Sequence, residues 1–274
     1  MSHNNQKKIA VINDFSGYGR CSVAVELPII SAMKLQCCVV PTSIFSNHSG
    51  YEDFFFDDYT DKMHRYIEQW KKLDLRFEGI ATGFLGSVKQ IEIVSEFINE
   101  FKNVDTQVVI DPVIGDDGVA YSTYTDEMCR EMKKLVSYAN IITPNLTEAC
   151  MLTDTVYKES MSRDEIEVML KKLSDLGPEK IVVTGMKQGK YLTDAIYENH
   201  KIHFLKNLKI GKERAGTGDV FAAIIAADAV NGVGFKTSVM RATEFIRKCI
   251  VRSIELDIPK EDGICFEEYL TTLK

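Results

Sequence analysis

Short apolar runs bounded by turn residues recur along the chain at Ile9-Ala10-Val11-Ile12, Cys37 to Val40, Gly79 to Ala81, Val108-Val109-Ile110, Asn140 to Ile142 and Ile181-Val182-Val183. Their length and β-branched content are those of buried strands. Between them apolar residues return at helical spacing, as at Ile91, Val94, Phe97, Ile98 and Phe101, or at Ile166, Met169, Leu170 and Leu173 ahead of Gly177-Pro178. Parallel strands need long crossovers, and helices make the best ones. The order therefore predicts an α/β fold: a doubly wound, mostly parallel central sheet with helices on both faces. Two stretches depart from the alternation. Tyr191 to Phe204 reads as an antiparallel edge pair, and Asn47 to Asp58, rich in glycine, aromatics and acids, as a loop or small β flap. Long helices are expected over Asp219 to Val230 and Thr237 to Ile254. With no linker, repeat or low-complexity tract, residues 1–274 are expected to form a single domain.

Charge narrows the partners. Lys and Arg number 33 against 40 Asp and Glu, a net charge of −7, and no basic stripe is present to displace counterions from nucleic acid. No apolar run reaches the roughly 18 to 20 residues that span a bilayer, and Met1 to Lys8 is polar without a signal-peptide core. A cytoplasmic protein that works on small molecules, with neither nucleic acid nor membrane as partner, is the expectation. The seven cysteines, odd in number and without a C-x-x-C, read as reduced packing thiols.

In an open parallel sheet, ligands bind beyond the carboxyl ends of the strands. After successive strands stand Asn13-Asp14-Phe15-Ser16-Gly17, Thr42-Ser43, Thr82-Gly83-Phe84, Asp111-Pro112, Thr143-Pro144-Asn145 and Thr184-Gly185. Turn residues are polar in any protein. Taken together, though, they gather small, polar and acidic groups at one edge, as a cleft for a phosphorylated or hydroxylated ligand requires.

The sharpest motif is Ala215-Gly216-Thr217-Gly218-Asp219, which runs straight into an apolar helix. Glycines let backbone N–H groups approach an anion, and the helix start adds roughly half a positive charge. Asp219 in the first turn has two readings: a base for a hydroxyl that attacks a phosphoryl group, or a simple helix cap. Phosphoryl transfer calls for Mg²⁺. Candidate oxygen ligands are Asp111, Asp116, Asn145 and Glu148, of which Glu148 is equally readable as a first-turn acid balancing the helix dipole. Other signatures fail. Gly17-Tyr18-Gly19-Arg20-Cys21-Ser22 nearly matches the dinucleotide fingerprint, yet Ser22 replaces the last glycine and no acid follows the second strand. There is no G-x-x-x-x-G-K-[ST] and no H-E-x-x-H. His200 and His203 read as surface residues, while His48 lies among hydrogen-bonding groups and is a candidate for ligand contact.

These motifs resemble those of the ribokinase-like kinases of carbohydrates and vitamins, and within them the pyridoxal kinases. The likeness runs along nearly the whole chain: Gly216-Thr217-Gly218-Asp219 is similar to the superfamily signature, Phe45-Ser46-Asn47-His48-Ser49-Gly50-Tyr51 to the vitamin-contacting stretch, and Asp111-Pro112-Val113-Ile114-Gly115-Asp116 and Ile142-Thr143-Pro144-Asn145-Leu146-Thr147-Glu148-Ala149 to the paired nucleotide and Mg²⁺ motifs. The resemblance implies that Asp219 deprotonates the 5′-hydroxymethyl group of a vitamin B6 form while Gly216, Thr217 and Gly218 hold the γ-phosphate of ATP. By the same likeness Glu148 and Asp111 serve Mg²⁺, directly or through its water shell. Asp116, Asn145, Thr184 and the stretch from Lys206 through Leu208 to Ile210 line the ATP side, and Asn13, Ser16, Asn47, His48, Ser49 and Phe84 the vitamin side. The family usually carries Ser where this chain has Asn13 and Tyr where it has Phe84. A related branch phosphorylates hydroxymethylpyrimidine, and a non-catalytic vitamer-binding relative would share the same cleft. Some bifunctional members of that branch carry Cys where Asp219 stands. The resemblance also implies a homodimer, and it leaves a monovalent cation requirement open.

Overall fold

A computed structural model describes residues 5–274; Met1 to Asn4, half of the polar start, lie outside the described residues. The strands are β1 (Lys8–Tyr18), β2 (Gln36–Asn47), β3 (Phe56–Asp58), β4 (Gly79–Thr82), β5 (Gln107–Ile110), β6 (Gly115–Asp116), β7 (Val119–Ala120), β8 (Ile141–Ile142), β9 (Lys180–Gln188), β10 (Tyr191–Glu198) and β11 (Lys201–Leu208). Nine of them form one sheet in the order β3-β2-β1-β4-β5-β8-β9-β10-β11, and β6 and β7 form a separate ribbon. The pairs from β2 through β9 are parallel, while β10–β11, β9–β10 and β2–β3 are antiparallel. The expected doubly wound sheet, edge pair and flap are all present.

Period-two alternation explains why both faces are covered. Ala10 and Ile12 of β1 join the core that contains α2 (Thr60–Lys72), α3 (Val88–Phe101), α4 (Asp126–Val136), α5 (Leu146–Leu152) and α6 (Arg163–Asp175). Ile9 and Val11 point the other way, into a core shared with α1 (Val23–Ala32), α7 (Thr217–Asn231), α8 (Phe235–Glu255) and a 3-10 helix at Glu267–Leu273. Helix α7 is apolar on every side and buried accordingly, with Val220 through Ala227 all inside. Its N-terminus is thus fixed by a packed core and not by a surface loop. Among the described residues no helix is long and apolar enough to cross a membrane, and all seven cysteines are free.

The chain runs from β1 to β2 on one side, and β4 then pairs with β1 on the other, so the direction of winding reverses between β1 and β4. A crevice opens at the carboxyl ends where this happens. β1 and its neighbour β2 are also longer than their apolar runs predict: β1 continues to Tyr18 and β2 to Asn47. A register shift between Asn13 and Phe15 interrupts the β1–β2 ladder. Such a bulge re-aims side chains, and here Asp14 is buried while Phe15 is exposed. Residues 13–17, read above as following the strand, are part of it.

Candidate active site

Glycine is obligatory at the start of α7. Gly216 caps the helix with φ 74°, and a Cβ there would lie 1.8 Å from the carbonyl oxygen of Arg20. This close approach seats the turn against the chain that follows β1. The Thr217 hydroxyl donates back to the Arg214 carbonyl at 3.2 Å, and the first backbone N–H groups of α7 stay unpaired within the helix. The turn opens into a cleft of about 630 Å³ that runs along the carboxyl edge of the sheet. Asp111, Glu148, Asp116, Asn145, Thr184, Leu208, His48 and the whole Gly216-Thr217-Gly218-Asp219 turn line it. The wall also carries Lys187, Lys209, Lys212, Arg214 and Lys260, a set of cations suited to polyphosphate, and an apolar end with Ile210, Phe221, Ile246 and Ile250.

Carboxylates crowd the cleft floor. Burial raises the pKa of Asp219, opposed by hydrogen bonds from the Ser22 backbone and the Asn13 amide and by nearby His48. Burial also raises Asp111, with Glu148 and Asp219 adding to it; its Oδ1 accepts the Thr143 hydroxyl at 3.0 Å. Its Oδ2 lies 3.7 Å from where a Gly218 Cβ would stand. Glu148 is pushed by burial to about 7. Both of its oxygens accept backbone N–H groups, Oε1 from Ile114 at 3.0 Å and Oε2 from Asn145 at 2.8 Å, while Asn145 Oδ1 accepts the Glu148 N–H. That reciprocal capping box starts α5 and makes Glu148 a first-turn acid that is buried, not solvated. Asn145 also donates to the Gly115 carbonyl at 2.8 Å and so ties the β6–β7 ribbon to α5. Val113, at φ 44°, is a β-branched residue in a strained left-handed conformation at the cleft wall.

The other expected residues fall elsewhere. Asn13 and Ser16 are buried beneath the cleft, and the Ser16 hydroxyl donates to Asp14 at 3.2 Å. Asn47 is held by the Asp53 carbonyl and the Ser46 hydroxyl, and Ser49 is exposed. The Phe84 ring meets Phe45 edge-on at 6.1 Å, in a cluster that also holds Phe54 and Phe56. Lys206 lies over the Tyr191 ring at 4.4 Å and is not part of the cleft wall, whereas Asn207 and Leu208 are.

Sequence reasoning missed three features. One is an ion-pair chain across the cleft: Lys187 binds Asp117 at 2.7 Å and Glu213 at 3.1 Å, and Glu213 meets Lys209 at 3.5 Å. Another is a strap at residues 258–263. His48 bonds the Glu261 carbonyl at 2.7 Å, Tyr51 and Tyr18 donate to the two oxygens of Asp262 at 2.7 and 3.0 Å, and Arg214 donates to the carbonyls of Ile258, Pro259 and Gly263. Because His48 Nδ1 accepts the Gly50 N–H, the proton sits on Nε2. The strap joins the 48–51 loop to the turn before α7. The third is Glu26, in the first turn of the apolar helix α1 and 2% exposed. An acid within Val-Ala-Val-Glu-Leu-Pro-Ile-Ile was a signal available in the sequence.

A glycine turn at a buried helix start, a carboxylate in its first turn and a cationic cleft at a topological switch point define a ribokinase-like phosphotransferase that acts on an alcohol. The profile of the phosphomethylpyrimidine kinase family matches residues 25–263, and the chain belongs to that family. A pyridoxine/pyridoxal/pyridoxamine kinase of Bordetella avium is 26% identical over 89% of this chain and 86% of its own length. A hydroxymethylpyrimidine/phosphomethylpyrimidine kinase of Bacillus subtilis is 29% identical over 66% of each. Among solved structures, a Bacteroides thetaiotaomicron protein provisionally described as a phosphomethylpyrimidine kinase is 38% identical, with a TM-score of 0.97 over 100% of this chain and 96% of its own. Its orthorhombic form, with pyridoxal, has a TM-score of 0.94.

Proposed function

We propose that the chain transfers the γ-phosphoryl group of ATP to the 5′-hydroxymethyl oxygen of a vitamin B6 vitamer. The observation that carries this reading is Asp219, in the first turn of α7 directly behind the left-handed Gly216 and at the floor of the cleft. In the proposed step the hydroxyl oxygen attacks the γ-phosphorus, its proton passes to Asp219, and the bond to the β-phosphate oxygen breaks to release ADP. Gly216, Thr217 and Gly218 present backbone N–H groups to the transferring phosphoryl group, while Lys187 and Arg214 compensate charge from the wall. Asp116, Asn145, Thr184 and Leu208 face the nucleotide, and His48 the acceptor. The pyridoxal-bound Bacteroides neighbour and the Phe45 to Tyr51 segment favour a vitamin B6 acceptor over a pyrimidine.

Among the described residues no group of three or more His, Cys, Asp or Glu side chains forms a cage for a metal ion. The donor set suits Mg²⁺ that keeps most of its water, with Asp111 as the direct ligand and Glu148, whose oxygens already accept N–H groups, acting through a water. When bound, that ion neutralises phosphate charge. A homodimer whose clefts are closed by short loops is the oligomeric arrangement we infer, and the cytoplasm the compartment. ADP release measured with ATP, Mg²⁺ and a panel of pyridoxal, pyridoxine, pyridoxamine and hydroxymethylpyrimidine tests the function. A B6 form should give the highest kcat/KM. A preference for hydroxymethylpyrimidine moves the chain to the thiamine branch, and tight vitamer binding without turnover makes it a carrier. Asp219→Asn should lose about 10² to 10⁴ in kcat while still binding nucleotide.

A further inference from the structure

Asn13 has no valence left for a substrate. Its Oδ1 accepts two backbone N–H groups, from Asp14 at 2.9 Å and Phe84 at 2.8 Å. Those contacts fix the amide orientation, so the NH₂ group must point the opposite way. There Nδ2 donates to Glu26 Oε2 at 2.9 Å and reaches Asp219 Oδ1 at 3.5 Å. Both hydrogens and both acceptor sites are thus occupied. Asn13 is 1% and Glu26 2% exposed, and Gly83 packs so closely on the amide that a Cβ there would lie 2.4 Å from it. The Asn13 side chain has one available position.

We propose that Asn13 and Glu26 are positioning residues for phosphoryl transfer: the buried Glu26 anchors the Asn13 amide, and that amide contacts Asp219 Oδ1 and so orients the carboxylate for the acceptor hydroxyl. This rests on the reading of Asp219 as the base. A carboxylate is nearly symmetric and rotates about its last bond, so an unrestrained Asp219 would present its oxygens in many orientations. The Asn13 amide, clamped from behind, and the Ser22 backbone N–H together restrict them. The 3.5 Å separation is at the outer limit of a hydrogen bond, as catalytic contacts often are before substrate binds. The placement explains why an acid stands in the apolar run of α1: its carboxyl accepts the Asn13 amide hydrogen that does not point to Asp219. Misplacing a catalytic group by about 1 Å can cost about 10²-fold in rate.

The test compares Glu26→Met, Glu26→Gln and Asp219→Asn in steady-state assays with ATP and pyridoxal or hydroxymethylpyrimidine, alongside thermal unfolding. Glu26→Met removes the acceptor and should lower kcat by about 10- to 100-fold with both KM values within about two-fold. Its Tm shifts as well, because the desolvation cost of a buried acid is removed while the buried Asn13 N–H loses its acceptor, so the split between kcat and KM is the readout that separates the two roles. A purely structural role would move Tm and leave kcat alone. Glu26→Gln keeps an oxygen acceptor for the amide and should restore kcat to within about three-fold of the parent. Full activity in Glu26→Met with Asp219→Asn inactive overturns the positioning role and leaves the base intact. Should Asp219→Asn itself retain its rate, the base reading and the positioning role fall together.

Discussion

Replacing Gly216 with alanine tests whether the helix start is an anion site built by close backbone contact. The substitution adds one methyl group with two consequences. An L-residue at φ 74° carries a left-handed penalty of about 1–2 kcal/mol. The new Cβ would also stand 1.8 Å from the Arg20 carbonyl oxygen, 2.8 Å from its carbon and 3.1 Å from Cys21 Cα. Ordinary van der Waals contact begins near 3.4 Å, so the two backbones must separate by about 1.6 Å. Neither can yield locally. Arg20 is tied by its N–H to the Asp262 carbonyl, and its Cβ packs 2.7 Å from where a Gly263 Cβ would stand, whereas the α7 side is locked by its core. Strain and lost contacts together amount to about 3 kcal/mol, or roughly 6–12 °C in Tm at about 2–4 °C per kcal/mol for a chain of this size. A displacement of the turn by more than 1 Å should lower kcat by at least about 10²-fold and weaken ADP binding. Thermal unfolding, ADP titration and steady-state kinetics on purified Gly216→Ala read the three quantities. A variant with unchanged kcat and ADP affinity would show that phosphate is not held at this turn.

The remaining predictions concern the acids and the strap. Burial lifts the Asp14 carboxyl from its ordinary 3.8 to about 6, so its contribution is fully present below about pH 4 and is lost as pH rises to about 6, some 3 kcal/mol in all. Asp14→Asn should therefore unfold in urea with a flatter pH dependence between pH 4 and 7, and curves that stay parallel to the parent's would refute the burial account. Asp262→Ala removes the acceptor of both Tyr18 and Tyr51, and should raise the acceptor KM by about ten-fold while the ATP KM stays put. If both KM values move equally, the strap does not act on the acceptor side. Chelation by EDTA should abolish turnover and added Mg²⁺ restore it; Asp111→Asn should raise the Mg²⁺ needed for half activity by about ten-fold, and no such shift would remove Asp111 from the ion's surroundings.

Several boundaries that sequence reasoning set short were extended by pairing. Ile9 to Ile12 is the apolar part of β1, but the strand runs on through Asn13 to Tyr18 because β2 offers partners out to Asn47. A polar segment carries no period-two signal when one of its faces borders a crevice, so nothing local distinguished Asp14 or Ser16 from loop residues. The β6–β7 ribbon was invisible for a similar reason. Two pairs of residues are too short for a pattern, and what holds them is the Asn145 amide on the Gly115 carbonyl. Lys206 and Leu208 were both expected at the cleft. Only Leu208 lines it, because which side of an edge strand meets the ligand depends on how β11 lies against its neighbours.

What the amino-acid order determined by itself is whatever depends on neighbours within a few residues: the buried strands, the helical periods, the edge pair, and the turn Gly216-Thr217-Gly218-Asp219 with its acid at the head of an apolar helix. Burial and partnership across the chain belong to the tertiary structure alone. Asn13 meets Asp219 across a sequence separation of 206, and Tyr18 meets Asp262 across 244. Such contacts exist because the winding of the sheet reverses between β1 and β4 and brings the first strand beneath the seventh helix. Whether a polar side chain binds a ligand or holds another side chain in place is decided by which of its donors and acceptors the fold has already filled.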